Sequence, residues 1–512
     1  MKLRLLTMAV SLAAVVAGLT LLYWFADREP TPLPWRDDLS LEDRQRVNDA
    51  LETPTDPAEL QPFERMSGGA GTAAGVFGGN AFSLPAANLS LQGQQDFAVG
   101  NGVFRKIWVS SPASTQASDG LGPLFNARSC QRCHLKDGRG HPPTHAEDDA
   151  TSLLLRVALP STDADREAIR SGKILTRTDP TYGGQVQDVA VPGVASEGRV
   201  RVSYREEQVE LGGGDIVSLR TPTFELGDLG YGPLAEGATL SARVAPPMIG
   251  LGLLEAIHEG DIERLADPDD KDGDGISGRV QRVLDPSTGA WVMGRFGWKA
   301  TAPTLAAQTA DAFLNDMGIS SVRHPAAFGE CTPRQRDCLQ APSGVQAELG
   351  PFEVSDEMLS LVVFYSSNLA VPPRRDADDS LVLRGKALFH EAGCAACHQP
   401  NYVTRRDAPQ AEHQFQMIWP YTDLLLHDMG DALGSNGQVG RADGNEWRTP
   451  PLWGIGLTET VSGHNQLLHD GRARGLLEAI IWHGGEAQAS RDRVVAMAAD
   501  EREALLAFLR SL

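Results

Sequence analysis

The sequence predicts a mainly α-helical protein with two similar domains, the first of which carries a β-containing insertion. Three observations predict this fold. One five-residue motif occurs once in each half of the 512-residue chain, which is long enough for more than one domain. Helical periodicity surrounds the second copy of the motif. Between about residues 150 and 245, short runs that alternate apolar and polar side chains indicate strands.

The repeated motif has the pattern C-x-x-C-H and occupies residues 130–134 and 394–398. This pattern attaches c-type haem, because the two thiols bond to the haem vinyl groups and the His binds the iron. A zinc site would need further Cys or His at ligand spacing, and a thioredoxin-like dithiol would need a βαβ setting; neither is evident. The sequence therefore predicts two covalently bound c-type haems, attached at Cys130, Cys133, Cys394 and Cys397, with His134 and His398 as axial iron ligands.

The N-terminus has the composition of an export segment. Lys2 and Arg4 precede the uncharged, mostly apolar residues 5–26, a stretch long enough to span a bilayer. Its end carries Trp24 instead of the small residues typical of a cleavage site. We expect residues 1–26 to be a signal peptide or, with slightly more support, an uncleaved membrane anchor. Covalent haem attachment takes place outside the cytoplasm, so the expected location is the periplasm, with or without anchoring to the inner membrane.

The chain carries 67 acidic and 46 basic residues, which gives a net charge of −21. An acidic surface repels nucleic acid, so nucleic acid is not an expected partner. It would attract a basic redox protein, although an acidic surface also simply keeps a protein soluble. The expected partner is a small redox protein or another small electron donor.

Composition and periodicity divide the rest of the chain into three parts. Residues 27–95 are rich in Pro and Gly, which predicts an irregular segment. Residues 96–370 hold the first haem motif, the β-containing insertion at about 150–245 and a helical stretch near their end. Residues 371–512 start with a Pro-rich linker and are expected to form the C-terminal haem domain.

The C-terminal part has the pattern of a cytochrome c domain. Residues 381–389 are amphipathic and lead into Cys394, and residues 505–512 carry an apolar stripe of helical spacing. The first and last helices of a cytochrome c domain pack against each other. A weak repeat, P-P-x-x-G-x-G-L at residues 246–253 and 450–457, indicates that the first haem domain is a duplicate of the second.

Two cysteines lie outside the haem motifs. Cys331 and Cys338 are close in sequence, and no His follows Cys338, so this is not a third haem site. In an oxidising compartment two nearby thiols form a structural disulfide. A redox-active dithiol is the alternative, because reactivity depends on a thiolate pKa that the sequence does not give.

The C-terminal half resembles the bacterial di-haem cytochrome c peroxidases and the tryptophylquinone-forming di-haem enzymes. An Arg-x-Pro element at residues 448–450 precedes a His-Asp-Gly turn at residues 469–471, and His483 lies one helix later. In those families this last position holds the distal ligand of the C-terminal haem, a Met or a Tyr. The resemblance implies that His483 binds the second iron opposite His398. The alternatives are His427, His464 and His469.

The chain is more closely similar to the di-haem oxidoreductase family, whose members are labelled thiol oxidoreductase or peroxidase. The resemblance covers most of residues 80–512 and is carried by residues 122–126 (GPLFN), 272–279 (DGDGISGR), 296–299 (FGWK), 423–430 (DLLLHDMG) and 469–474 (HDGRAR).

This resemblance implies a periplasmic di-haem c-type oxidoreductase of the peroxidase type. In such an enzyme the C-terminal haem passes electrons from a small donor to a small-molecule oxidant at the N-terminal haem. Two alternatives stay open. One is an electron carrier with two closed haems and no substrate, and the other is a thiol oxidoreductase that uses Cys331 and Cys338.

Residues 270–275 fit the first half of an EF-hand-type calcium loop. Asp270, Asp272 and Asp274 would supply the oxygen ligands, and Gly275 would permit the sharp turn. Position twelve is Gln281 and not the bidentate Glu, so the match is partial. The di-haem peroxidases hold a calcium near their haems, which favours a bound calcium over a solvated acidic turn.

The sixth ligand of the first haem is not evident in the sequence. His258 follows a Leu-Leu-Glu-Ala-Ile string that recurs before His483, and Trp298 could lie between the haems. His258 and Trp298 are therefore the candidate catalytic residues. A helix-surface His and a core Trp are the simpler explanations, and both are favoured.

Overall fold

The computed structural model describes residues 32–52, 54–143, 148, 152–435 and 437–512. The chain divides into two compact units, Met1–Glu52 and Thr53–Leu512. In the first unit helix α1 (Leu41–Ala50) begins after Ser40, whose hydroxyl accepts a hydrogen bond from the Asp43 amide at 3.1 Å. The predicted export or anchor segment, residues 1–26, lies outside the described residues.

The second unit combines short helices with paired strands. Its helices are α2 (Leu91–Phe104), α3 (Cys130–Cys133), α4 (Asp163–Arg170), α5 (Leu251–Glu255), α6 (Glu259–Glu263), α7 (Leu305–Met317), α8 (Arg336–Leu339), α9 (Asp356–Ser367), α10 (Ser380–Glu391), α11 (Thr458–Ser462), α12 (Leu476–Ile481), α13 (Gln488–Ala496) and α14 (Ala499–Ser511). Its strands are β1 (Leu124–Phe125), β2 (Leu153–Ala158), β3 (Val189–Ala190), β4 (Arg199–Glu210), β5 (Ile216–Gly227), β6 (Thr239–Val244), β7 (Arg282–Leu284), β8 (Trp291–Met293), β9 (Tyr402–Val403), β10 (Met417–Ile418), β11 (Leu426–Asp428) and β12 (Glu446–Arg448).

The fold is mixed, so the predicted mainly α class is too simple. The chain has 53 Gly and 32 Pro, which interrupt helices and leave long irregular connections. The described strands pair two by two in antiparallel sheets that lie within these connections. Within the described residues no helix is long and apolar enough to cross a membrane.

The predicted β insertion contains two such sheets. Strand β2 pairs with β6, from Leu153 opposite Val244 to Ala158 opposite Thr239. Strands β4 and β5 form a long hairpin whose tip carries Gly213 and Gly214, both with φ +86°. The strands predicted at residues 153–157 and 200–204 are thereby confirmed, as is the glycine-rich turn.

Helices α10 and α14 pack against each other, as predicted for the ends of the C-terminal part. They cross closely at Gly385, where a Cβ atom would lie 1.9 Å from the Ala504 carbonyl oxygen. One turn later Phe389 packs on Phe508, with ring centroids 5.2 Å apart. Only a glycine permits this approach, which brings the helix before Cys394 against the end of the chain.

The two repeated segments face each other in the core. A Cβ atom on Gly250 would lie 2.2 Å from the Trp453 ring, and one on Gly454 would lie 2.6 Å from the Ile249 side chain. Gly250 and Gly454 hold the same position in the repeat, and both have positive φ. This reciprocal contact is what a duplicated element with approximate twofold symmetry would produce, and it places both repeats beside the cavity described next.

Candidate haem-binding cavity

The second unit encloses a cavity of about 800 Å³ that is lined by residues of both C-x-x-C-H motifs. One wall is the β2/β6 sheet, and another is a stripe on α7 that includes Gln308, Thr309 and Ala312. Helix α7 is fixed at its start by Thr304, whose hydroxyl accepts a hydrogen bond from the Ala307 amide at 3.1 Å. Both predicted haem sites therefore open into one space.

The first motif forms the single turn α3, and His134 follows it. Nδ1 of His134 lies 2.8 Å from the Pro246 carbonyl oxygen, in the first repeated segment. A hydrogen bond donated from Nδ1 to a carbonyl fixes the tautomer whose Nε2 lone pair can bind a metal. Burial lowers the pKa of His134 to about 4, which keeps the ring in the neutral, metal-binding form.

The His of the second motif is also oriented by a backbone carbonyl. Nδ1 of His398 lies 2.9 Å from the Tyr421 carbonyl oxygen. The repeat aligns Pro450 with Pro246. Pro450 lines the cavity, but the carbonyl that contacts His398 belongs to Tyr421. Burial lowers the pKa of His398 to about 4, so this imidazole is also neutral.

The four motif cysteines are free thiols at the cavity wall. Burial raises the pKa of Cys130 and of Cys394 to about 12. Neutral thiols at the cavity wall, next to a neutral His, are chemically suited to covalent attachment of an apolar macrocycle in each half of the chain.

His483 is the predicted second ligand of the C-terminal haem. Its Nδ1 is 2.7 Å from the Ala479 carbonyl oxygen, one turn earlier, which leaves Nε2 available. His483 lines the cavity together with His398. After burial, the nearby charge of a protonated His483 also lowers the pKa of His398, so the two rings are within electrostatic reach.

Two of the alternative ligands have both ring nitrogens engaged by protein. His427 lies between Asp423 (Nε2–Oδ2 2.8 Å) and Glu486 (Nδ1–Oε2 2.6 Å). Despite burial, Asp423 holds the pKa of His427 well above its usual value, so the ring is an imidazolium. His464 lies 3.0 Å from the Arg139 carbonyl through Nε2 and accepts from the Gln466 amide through Nδ1.

The third alternative, His469, belongs to an aromatic cluster. Its ring stacks on Trp447, with centroids 3.7 Å apart, and meets Trp298 edge-on at 6.4 Å. Trp298 donates from Nε1 to the Val244 carbonyl at 2.9 Å and lines the cavity, so it is both a buried core residue and a cavity residue. Trp447 was not predicted as a site residue, although it directly precedes the Arg-x-Pro element in the sequence.

His258 occupies a helix terminus. Its Nδ1 accepts a hydrogen bond from the Gly260 amide at 3.0 Å, so it caps α6. It is not among the described residues that line the cavity. This placement makes His258 a helix-capping residue; its candidate catalytic role stays a prediction.

Polar atoms on the β2/β6 wall suit an anionic group. Arg243 Nε and Ser241 Oγ are buried without a hydrogen-bond partner among the described residues. Haem carries two carboxylates and an apolar ring system. The cavity that both motifs line, the neutral imidazoles of His134 and His398, and these unpaired donors together fit bound haem.

The predicted calcium loop is exposed. Asp270, Asp272 and Asp274 bring carboxylate oxygens within 4.8 Å of one another. Gln281 is buried elsewhere and donates to the Lys299 carbonyl at 3.2 Å, so it does not complete the ligand set. The loop has the spacing of a cation site without the twelfth ligand.

Cys331 and Cys338 are joined by a disulfide, with Cα atoms 5.9 Å apart. Within the closed loop, Gln335 donates to the buried Glu197 carboxylate at 2.6 Å. The bond therefore holds a loop against the insertion, as expected of a structural disulfide.

A buried charged cluster contacts Tyr421, and the sequence did not predict it. Glu64 is fully buried and pairs with Arg374 and with Lys386, whose Nζ is 2.7 Å away. Glu64 also accepts a hydrogen bond from the Tyr421 hydroxyl at 3.2 Å. Glu64 is more than 300 residues from both Arg374 and Lys386, and no local pattern joins it to them.

A known protein family matches most of the chain. Residues 64–512 match the family described as "di-haem oxidoreductase, putative peroxidase". No sequence among the curated proteins matches the chain. Among solved structures, hydrazine synthase of Kuenenia stuttgartiensis is 12% identical, with 81% of this chain and 92% of that chain covered and a TM-score of 0.28. A TM-score this low does not define a shared fold.

The family match covers nearly the whole second unit and includes both haem motifs, the cavity walls and His483. The chain therefore belongs to the di-haem oxidoreductase family and has a di-haem redox role.

Proposed function

We propose that the protein is a periplasmic di-haem c-type oxidoreductase of the peroxidase type. Electrons enter at the Cys394 motif and reduce a small-molecule oxidant at the Cys130 motif. The observation that carries this proposal is the single cavity that both motifs line, with each motif His oriented by a backbone carbonyl. When bound, haem supplies an iron that exchanges single electrons and can bind a small oxidant at an open axial position.

At the second site, His398 and His483 would both hold the haem iron. Each ring donates through Nδ1 to a carbonyl and keeps Nε2 free. Two strong ligands favour electron transfer over substrate binding. The proposed role of this site is to accept electrons from a small redox protein or another small donor.

The first site is proposed to keep an accessible face. Helix α7 borders this site. The negative charge of its Asp316, after burial, helps to raise the pKa of both Cys130 and Cys133, so Asp316 lies within electrostatic reach of the two thiols. On the same helix Gln308, Thr309 and Ala312 present polar or small side chains to the cavity. Such a surface leaves room for a small polar oxidant.

A calcium ion at Asp270, Asp272 and Asp274 is proposed as a structural element. The carboxylate spacing supports it. The loop is tied to the second site, because Ser277 donates to Glu486 at 2.5 Å and Glu486 contacts His427. A bound cation would therefore stabilise a segment that packs beside Cys397.

The periplasmic location is supported by chemistry that requires an oxidising compartment. The disulfide between Cys331 and Cys338 persists under such conditions. It also supports a structural role for these residues over thiol oxidation.

Steady turnover with hydrogen peroxide and a reduced small donor tests the proposed activity. The half-reduced protein should show saturable, cyanide-sensitive oxidation of the donor. Slow bleaching without saturation would instead identify an electron carrier with two closed haems. Cys331→Ser with Cys338→Ser should keep turnover, whereas loss of a thiol-oxidising activity with intact haem spectra would favour the thiol oxidoreductase.

A further inference from the structure

Two arginine side chains enter the cavity from one face of the β2/β6 sheet. Leu154 pairs with Arg243 and Arg156 pairs with Ser241, so Arg156 and Arg243 are diagonal neighbours on that face. Both line the cavity. Two guanidinium groups held this close inside a protein repel each other, because the charges are poorly screened there. Asp316 and Glu330 lie within electrostatic reach of Arg156, whereas an anion beside Arg243 would relieve the repulsion that Arg243 experiences.

Arg243 lacks the Nε partners that two other cavity arginines, Arg139 and Arg448, have. Arg139 donates from Nε to the Gln466 carbonyl at 2.9 Å, and Arg448 donates from Nε to the Gly297 carbonyl at 3.0 Å. Nε of Arg243 has no hydrogen-bond partner among the described residues, and its guanidinium lies 5.7 Å from the Trp447 ring. The Ser241 hydroxyl, two residues earlier, is also buried and has no hydrogen-bond partner in the part of the chain that the structure describes.

Unpaired buried donors are uncommon in folded proteins because each forfeits its hydration. Here two such donors, Arg243 Nε and Ser241 Oγ, lie two residues apart on the same face of the sheet. They indicate an acceptor that is negatively charged and has more than one oxygen.

The residues that directly follow the strand of Arg243 contact the first motif. Three residues later, the Pro246 carbonyl accepts the hydrogen bond from His134. The intervening Ala245 packs in a buried cluster with Cys133 and Ala127. A group attached at Cys130 and Cys133 is therefore next to Arg243.

We propose that Arg243 and Arg156, assisted by Ser241, bind the carboxylates of the haem attached at Cys130 and Cys133. The inference rests on the proposed attachment of a haem at that motif. A planar guanidinium matches a carboxylate through two parallel hydrogen bonds, and the charge assists both. A free small carboxylate could satisfy the same donors, and the experiment separates the two sources.

The test is a redox titration of the purified holoprotein. A cation beside a haem favours the reduced iron, so Arg243→Gln should lower the midpoint potential of one haem. The expected change in its reduction equilibrium is at least tenfold, about 59 mV for one electron. The other haem should be unchanged. Arg243→Lys keeps the charge but loses the two-pronged contact, and it should give an intermediate potential.

Arg201→Gln is the matched control, because Arg201 is an exposed arginine that pairs with Asp228. It should leave both potentials unchanged. Ser241→Ala removes only one hydroxyl and should lower the same potential by a smaller amount. This milder variant decides the question if Arg243→Gln does not fold.

Unchanged potentials in Arg243→Gln or in Ser241→Ala, with two haems present, would overturn the proposal. So would a saturable spectral response of the wild type to acetate that Arg243→Gln abolishes, since that would identify a free anion as the occupant. A wild-type ratio of one haem per chain would overturn the proposal in another way, because the haem predicted at Cys130 and Cys133 could then be missing. Haem quantification therefore distinguishes that failure from a misplaced carboxylate.

Discussion

The carbonyl oxygen of Tyr421 lies 2.9 Å from Nδ1 of His398, so Tyr421 orients the ligand of the second haem site. The hydroxyl of the same Tyr421 donates to Glu64, which is held between Arg374 and Lys386. A residue far away in the sequence thus supports the proximal side of the second site through a buried charged cluster.

Replacing Glu64 should strongly destabilise the protein. Glu64→Gln removes the negative charge and leaves Arg374 and Lys386 buried without their counter-ion. Breaking a buried ion pair in this way costs about 3–5 kcal/mol of unfolding free energy. Thermal or denaturant unfolding, followed by circular dichroism, measures this loss.

Glu503→Gln is the control for this variant, because the Arg510–Glu503 pair is half exposed. An exposed pair contributes roughly 0–1 kcal/mol. Equal stability losses in the two variants would show that the buried cluster has no special role.

The stability of the protein should depend on the protonation of Glu197. Burial raises the pKa of Glu197 to about 8, and its two oxygens accept from the Gln187 amide and the Gln335 side chain, each at 2.6 Å. The folded state therefore keeps a proton that the unfolded chain releases near its ordinary, lower pKa. Folding stability from this group is complete at low pH and is lost as pH rises towards 8.

Glu197→Gln removes that titration. The free energy of unfolding of the wild type, relative to the variant, should fall by roughly 1.4 kcal/mol per pH unit between about pH 5 and 8. Denaturant unfolding at a series of pH values measures the difference. A difference that does not change with pH would show that Glu197 titrates normally in the folded protein.

Removing the His483 ring should open the second haem without detaching it. His483→Gly is expected to convert one low-spin signal to a high-spin signal that added imidazole reverses. His469→Gly is the matched comparison, because His469 lines the same cavity but stacks on Trp447. If His469→Gly changes the spin state and His483→Gly does not, the ligand assignment is reversed.

The acidic loop should bind one calcium ion per chain. Asp272→Ala with Asp274→Ala removes two of the three carboxylates and should abolish both the bound metal and the destabilisation caused by a chelator, since a site-bound ion stabilises the folded state by mass action. Metal analysis and melting curves measure this. Identical metal content and melting temperature in the variant and the wild type would leave the loop as a turn.

The elements that follow a strong local pattern were predictable from the sequence. Residues 381–389 and 505–512 have helical periodicity, and both lie in observed helices. The alternation at residues 200–204 lies in β4. The helical class was overestimated because short two-stranded sheets, such as β7 with β8, arise from turns and pairing that periodicity does not report.

The residues of the site were predictable only where they lie next to one another in the sequence. The C-x-x-C-H spacing identifies the attachment residues, but the Tyr421 carbonyl that orients His398 is a backbone atom, which any residue could provide. Arg243 and Arg156 become neighbours only through strand pairing across the insertion. Glu64 meets Lys386 over more than 300 positions, so no sequence pattern could join them.

Haem quantification tests the central claim most directly. The wild-type protein should carry two haems per chain that resist extraction into acid acetone. Cys130→Ala with Cys133→Ala should leave one haem, as should Cys394→Ala with Cys397→Ala, because each motif holds its own pair of thiols. A wild-type ratio of one, or haem that acid acetone extracts, would contradict two covalently bound haems in a shared cavity.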